Sequence, residues 1–166
     1  MKRSVSSAGA MQDFAAEFVA ELARGASSAT VIALSGELGA GKTTFAQAAA
    51  KALGVEETVN SPTFVIEKIY QLPPLDSARG ENKFSRLIHI DAYRLKSAEE
   101  LTHLGWDDII VDPLNLIIIE WPEHVEEAIP KNAHRIRIEI LSTSLDEARD
   151  KSLGASGEER VVTYGN

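Results

Sequence analysis

The chain has no cysteine among its 166 residues, which excludes disulfide bonds, zinc–thiolate sites and cysteine nucleophiles. It has no apolar run near the roughly 18 residues that would predict a membrane helix, so no membrane partner is expected. Basic residues are outnumbered by acidic ones: the chain has 17 Lys and Arg and 25 Asp and Glu, which gives a net charge of −8. That balance disfavours a broad basic surface for nucleic acid. With no apolar leader after Met1, the cytoplasm is the expected location.

What remains is an ordinary globular composition, with 44% hydrophobic and 25% charged residues. The length predicts one domain covering residues 1–166. Residues 71–85 contain prolines and charges without periodicity, and they predict a mobile loop. Residues 150–166 predict a tail with a short strand.

The most informative motif is G-x-x-x-x-G-K-T at residues 36–43, the pattern of a nucleotide-binding P-loop. An apolar strand-like run precedes it and a strong helix-forming run follows it, which is the context that the motif requires. Its glycines allow successive backbone N–H groups to face one anion. Lys42 would meet the β- and γ-phosphates, and the Thr43 hydroxyl would bind Mg²⁺. The predicted nucleotide contacts are Glu37, Leu38, Gly39, Ala40, Gly41, Lys42, Thr43 and Thr44.

Two carboxylates end predicted strands. Asp91 follows the strand predicted at 86–90, and Glu120 follows the almost wholly apolar run at 114–119. Open α/β sheets bind ligands at the carboxyl ends of their strands, so both acids are candidate Mg²⁺ ligands beside Thr43. The predicted catalytic residues are Glu120, Lys42 and Asp91. Asp91 could instead cap a turn, and Glu120 could instead form a salt bridge.

Other candidates carry weaker signals. The only Asn-Lys pair, at 82–83, lacks the aspartate of a guanine-reading motif, so ATP is favoured over GTP. Residues 61–63, Ser-Pro-Thr, fit either a switch that senses the γ-phosphate or an ordinary turn. Trp121 could cap the core, and His89 is more typical of a satisfied histidine within a sheet.

The remaining pattern predicts helices and flanking strands. Residues 11–24 have the 3.6-residue rhythm of an amphipathic helix. A further helix should begin at Ser97 and end at Gly105. Residues 65–70 predict a strand. Residues 135–140 alternate cleanly, which predicts a half-exposed antiparallel strand paired with 160–164.

Five blocks of sequence resemble the TsaE (YjeE) family. They are Gly-Glu-Leu-Gly-Ala-Gly-Lys-Thr-Thr-Phe (36–45), Ser-Pro-Thr-Phe (61–64), His-Ile-Asp-Ala-Tyr-Arg-Leu (89–95), Glu-Glu-Leu (99–101) and Ile-Glu-Trp-Pro-Glu (119–123). The resemblance implies an α/β, P-loop NTPase-like three-layer fold with a central parallel sheet and flanking antiparallel strands.

The same resemblance implies a function. It implies a weak ATPase that docks on the TsaD–TsaB pair and supports threonylcarbamoyladenosine modification of tRNA, with tRNA contacted only through the complex. The family's metal ligands fall on Thr43 and Glu120, its aspartate on Asp91, and the tryptophan of its Glu-Trp block on Trp121.

Two alternatives remain open. A small-molecule kinase would use the same motif, but it usually also needs a basic lid. The 71–85 loop contains only two basic residues, Arg79 and Lys83, so it would make a poor lid. A nucleotide-gated interaction module would bind ATP without turning it over.

Overall fold

A computed structural model describes residues 1–57, 59, 62, 65–73, 83–141 and 159–165. Ser61, Thr63, most of the predicted 71–85 loop and most of the 150–166 tail therefore lie outside the described residues. The strands are β1 (Lys2–Val5), β2 (Thr30–Gly36), β3 (Glu67–Gln71), β4 (Arg86–Asp91), β5 (Asn115–Glu120), β6 (His134–Ile140) and β7 (Arg160–Gly165). The α-helices are α1 (Ala8–Glu21), α2 (Lys42–Ala52) and α3 (Trp106–Ile110), and short 3₁₀ helices span Ala92–Arg94, Ala98–Leu104, Pro122–His124 and Glu126–Ala128.

The strands form one sheet in the order β1-β7-β6-β2-β5-β4-β3. The four central strands β6, β2, β5 and β4 are parallel, and β1, β7 and β3 add antiparallel pairs at the two flanks. This is the predicted α/β arrangement, and the β6–β7 pairing is also as predicted.

The predicted direction of β6 was wrong in part. The strand pairs antiparallel with β7 but parallel with β2. Its side chains do alternate between buried and exposed. Alternation reports that one face of a strand is solvated, and β6 has that exposure because it lies where the parallel core meets the antiparallel flank.

Both faces of the central sheet are covered, which explains why its strands are almost wholly apolar. All six residues of β5 are buried. On one face, Ile32 and Ile118 pack with residues of α1 and α2. On the other face, Ile117 and Ile119 pack with the short helices between 92 and 129. The result is a three-layer fold.

Helix α1 begins three residues earlier than its periodicity predicts. Ser7 caps it, since its Oγ accepts a hydrogen bond from the backbone N–H of Ala10 at 3.0 Å. At the other end, the Lys83 ammonium donates to the carbonyls of Ala20 and Leu22, both at 2.9 Å. The Ser7 cap is a local contact and the Lys83 contact comes from a distant part of the chain, and periodicity reports neither of them.

Smaller differences occur elsewhere. The helix predicted from Ser97 is a 3₁₀ helix. It ends at Gly105 as predicted, and φ of that residue is +77°. Strand β3 runs over 67–71 instead of 65–70. In the part of the chain that the structure describes, no helix has both the length and the apolar content for crossing a bilayer.

Phe14 tests the packing of α1. Its ring centroid lies 5.7 Å from that of Phe45 and 5.2 Å from that of Tyr164, and the residue is 2% exposed. We expect Phe14→Ala to lower the free energy of unfolding by about 3–5 kcal/mol, because it leaves a cavity between α1, α2 and the sheet. Urea unfolding measures this. Val111→Ala, at a 62% exposed side chain, should change it by less than about 0.5 kcal/mol. Equal effects would contradict the packing.

Candidate functional site

The glycine loop, residues 36–43, joins β2 to α2. Gly36, Gly39 and Gly41 all have positive φ, at 144°, 81° and 108°. At Gly36 a Cβ would lie 2.3 Å from the carbonyl oxygen of Ile138 on β6, so a side chain does not fit there. The loop therefore turns closely against the sheet and delivers the chain directly into the first turn of α2, whose N–H groups have no helical partners.

Lys42 is the first residue of α2 and is 4% exposed. Its Nζ donates to the carbonyls of Gly36 at 2.7 Å and Glu37 at 2.9 Å, and it lies 3.7 Å from the ring centroid of Trp121. These three contacts compensate a buried ammonium. They hold the charge of Lys42 inside the curve of the glycine loop.

Opposing effects act on the pKa of this ammonium. Burial lowers the pKa of Lys42 below its ordinary value, while the carboxylates of Glu120, Glu123 and Asp91 act in the opposite direction. Burial is the larger effect. An additional anion in the loop would stabilise the charged form of Lys42, which is the property expected of a phosphate site.

Glu120 ends β5 and is 2% exposed. Its two carboxylate oxygens each lie 3.1 Å from the Thr43 hydroxyl, and Oε1 also lies 2.8 Å from Nε2 of His89. These three side chains come from β5, α2 and β4. The structure thus brings together Thr43 and Glu120, the two residues that the resemblance assigned to the metal.

Asp91 lies beside Glu120, since the two residues are register partners across β4 and β5. It is 4% exposed, and its Oδ1 accepts a hydrogen bond from the backbone N–H of Tyr93 at 3.0 Å. The capping role that sequence left open for Asp91 is therefore present. Asp91 still belongs to the site, because it also lines the cavity between the glycine loop and the strand ends.

A cavity of about 290 Å³ lies between the glycine loop and the strand ends. It collects six of the eight predicted nucleotide contacts and all three predicted metal ligands, while Glu37 and the buried Ala40 are not among its lining residues. The lining residues are Leu38, Gly39, Gly41, Lys42, Thr43, Thr44, Asp91, Tyr93, Glu120 and Trp121.

An aromatic cluster closes one side of this cavity. Trp121 adopts a left-handed backbone conformation with φ 58°, which a bulky residue rarely takes and which marks many functional sites. The ring centroid of Tyr93 lies 5.0 Å from that of Trp121. Trp121 covers Lys42 and also packs against the hydrophobic core on its side of the sheet, so the core-capping role that the sequence left open is present as well.

Sequence reasoning missed two residues of the site, Tyr93 and His89. A usable signal existed for His89. It lies two residues before Asp91 on one strand, and side chains two apart share a face. Tyr93 follows the strand by only two residues and is 49% exposed, and its place beside the cavity depends on the turn that Asp91 caps.

The oxygen donors present fit Mg²⁺. This ion prefers carboxylate and hydroxyl oxygens, and it usually takes one or two carboxylates together with phosphate and water. Thr43, Glu120 and Asp91 supply oxygens only. Among the residues that the structure describes, no three acidic or histidine side chains converge on one point as a protein-only metal cage would require. This set suits a metal that is shared with a bound phosphate.

The fold and site define a P-loop NTPase-like α/β protein. The family model described as "Threonylcarbamoyl adenosine biosynthesis protein TsaE" matches residues 5–150. The chain belongs to the TsaE family, which is involved in the biosynthesis of threonylcarbamoyladenosine in tRNA. The predicted family and fold are therefore confirmed.

Individual relatives agree with this assignment. The chain is 36% identical over 130 residues to the tRNA threonylcarbamoyladenosine biosynthesis protein TsaE of Streptomyces coelicolor, covering 77% of this chain and 81% of the relative. It is 35% identical over 127 residues to the protein of the same name from Bacillus subtilis, covering 76% and 70%. The crystal structure of Bacillus subtilis YdiB superposes with a TM-score of 0.67 at 26% identity, covering 99% of this chain and 83% of that chain.

Two glycines of the loop should respond differently to a methyl group. Both need positive φ, but a Cβ at Gly36 would meet the Ile138 carbonyl, whereas a Cβ at Gly39 would meet nothing within 4 Å. We expect Gly39→Ala to cost about 1–2 kcal/mol of unfolding free energy from backbone strain alone, and Gly36→Ala to cost clearly more. Chemical denaturation of both variants measures the difference. Similar losses would contradict the close approach of the loop to β6.

Proposed function

We propose that this protein is a Mg²⁺-dependent ATPase that supports the TsaD–TsaB complex in threonylcarbamoyladenosine modification of tRNA. One observation carries the proposal. The Thr43 hydroxyl lies 3.1 Å from the Glu120 carboxylate, on the same cavity as Lys42. A hydroxyl at the start of a P-loop helix and a strand-end carboxylate are the pair that would share a nucleotide-bound metal.

Each side chain has a distinct role in this proposal. The Lys42 ammonium would leave its two loop carbonyls for the more strongly charged β- and γ-phosphate oxygens, and the N–H groups of residues 37–43 would hold the remaining phosphate oxygens. Thr43 and Glu120 would hold Mg²⁺, with Asp91 beside them. The metal would neutralise charge that develops on the phosphates. Glu120 would also orient the attacking water.

The proposed dependence on a partner follows from charge. Phosphoryl transfer in this fold class commonly needs an arginine at the transferred group, worth on the order of 10³–10⁵ in rate. No arginine is among the cavity-lining residues in the described part of the chain. Slow turnover alone and faster turnover in a complex are the expected consequence. With a net charge of −8, the chain is also a poor direct binder of tRNA, so a partner would hold the RNA.

Partner stimulation is tested with purified protein, labelled ATP, and TsaD and TsaB from the same organism. We expect slow phosphate release alone and an increase of about tenfold or more when both partners are present, since completing such a site has large effects on rate. A phosphorylated small molecule instead of free phosphate would indicate a kinase. ATP binding with no phosphate release, even with both partners, would leave only a nucleotide-gated interaction module. Either result would overturn the proposal.

Substitutions of Glu120 and Lys42 should distinguish the hydrolysis of ATP from its binding. We expect Glu120→Ala to lose about 10²-fold or more of the hydrolysis rate, because one preorganised charged group is removed, while ATP binding stays measurable. Lys42→Ala should weaken ATP binding itself. Isothermal titration and a phosphate-release assay measure the two effects.

Glu123→Ala is the matched control for this comparison. Glu123 is an exposed acid three residues after Glu120, close enough to influence the pKa of Lys42. Its removal should leave most of the hydrolysis rate. If Glu120→Ala hydrolyses ATP like the wild type, Asp91 becomes the better candidate for the metal-holding carboxylate.

A further inference from the structure

His89 is a buried histidine that the proposed function has not used. It lies in β4 and is 1% exposed, and its Nε2 lies 2.8 Å from Oε1 of Glu120. Glu120 is itself 2% exposed. A short hydrogen bond between two side chains so far from water is strongly orienting, because neither group has solvent as an alternative partner.

The donors and acceptors around the His89 ring indicate which ring nitrogen carries the hydrogen. An ionised carboxylate only accepts, so Nε2 must carry the hydrogen that lies between the two groups. The other ring nitrogen, Nδ1, is buried with no hydrogen-bond partner among the described residues. A hydrogen there would be an unsatisfied buried donor, whereas a bare lone pair costs less. The arrangement therefore fits a ring that carries its hydrogen on Nε2 and not on Nδ1.

The His89 bond restricts the rotation of the Glu120 carboxylate, which the Thr43 contact alone leaves open. The Thr43 hydroxyl lies at equal distances, 3.1 Å, from both oxygens of Glu120, so it does not distinguish one from the other. His89 contacts only Oε1. The two contacts come from two different elements, α2 and β4, and together they restrict the rotation of the carboxylate. Oε2 then has no other hydrogen bond within the described structure and keeps lone pairs available for a cation.

We propose that His89 is a positioning residue, which holds the Glu120 carboxylate in the orientation that receives Mg²⁺–ATP. The inference rests on the proposed function, because it gives Glu120 a metal to hold. The alternative is a histidine that only packs within the sheet. Replacing such a histidine would affect folding stability alone, whereas replacing a positioning residue would change how much Mg²⁺ tightens nucleotide binding.

The test compares ATP-analogue affinity in Mg²⁺ and in EDTA, by calorimetry with a non-hydrolysable analogue. In His89→Phe we expect the Mg²⁺-dependent gain in affinity to fall by about 10- to 100-fold, the usual effect of removing a group that orients a metal ligand. Affinity in EDTA should stay near the wild-type value, since the glycine loop and Lys42 are intact.

Three further variants make the readout specific. His89→Gln should recover most of the Mg²⁺ effect, because its amide nitrogen reaches the position of Nε2. His89→Asn is too short and should not. His134→Gln is the matched control, since His134 is also a strand histidine but lies on β6 beside Phe18, away from the cavity. It should leave the Mg²⁺ effect unchanged.

Several outcomes would overturn the inference. One is a wild-type Mg²⁺ effect in His89→Phe. Another is His89→Gln behaving like His89→Phe while thermal unfolding shows both variants folded. If the wild type itself shows no Mg²⁺ effect, the proposed function fails, and His89 is then judged by ¹⁵N NMR of the ligand-free wild type. An Nε2–H ring signature that changes in Glu120→Gln would support the contact, and an Nδ1–H signature would overturn it.

Discussion

Burial of the Glu120 carboxylate is the constraint on which the rest of the site depends. A charged carboxylate at 2% exposure is costly unless its oxygens are hydrogen-bonded and a positive charge lies near. The structure meets that requirement with the Thr43 hydroxyl, the His89 ring and the field of Lys42. Without the Glu120 carboxylate, each of these three groups would be less stable in its present position. The carboxylate and the glycine loop therefore stabilise the same arrangement of side chains.

The sheet makes this convergence possible. In-register pairing of β4, β5 and β2 puts Asp91, Glu120 and Leu34 side by side, so the strand carrying the glycine loop and the two strands carrying the acids end at one edge. Open α/β sheets bind ligands at this edge. The same pairing aligns His89 with Ile118 and directs it to the face that carries Glu120. A slip of one residue would move every one of these side chains to the opposite face.

Features that depend on local chemistry were accessible from sequence. The glycine loop, the strand-end positions of Asp91 and Glu120 and the wholly buried β5 each follow from residue type and spacing. Features that depend on register or on distant contacts were not. The parallel pairing of β6 with β2, the Lys83 contact at the end of α1 and the His89–Glu120 bond each involve residues far away in the chain. The place of Tyr93 beside the cavity depends on the turn that Asp91 caps. Ser61 and Thr63 lie outside the described residues, so the switch role remains a prediction.

The most direct test is the position of a metal in crystals grown with Mn²⁺ and a non-hydrolysable ATP analogue. Mn²⁺ takes the same oxygen ligands as Mg²⁺ and is located by its anomalous scattering. We expect one anomalous peak in the cavity, from a metal bonded to the Thr43 hydroxyl and held by Glu120 directly or through one water, with the analogue's phosphates along residues 37–43. A metal–nucleotide complex bound away from Glu120, or no peak in this cavity, would contradict it.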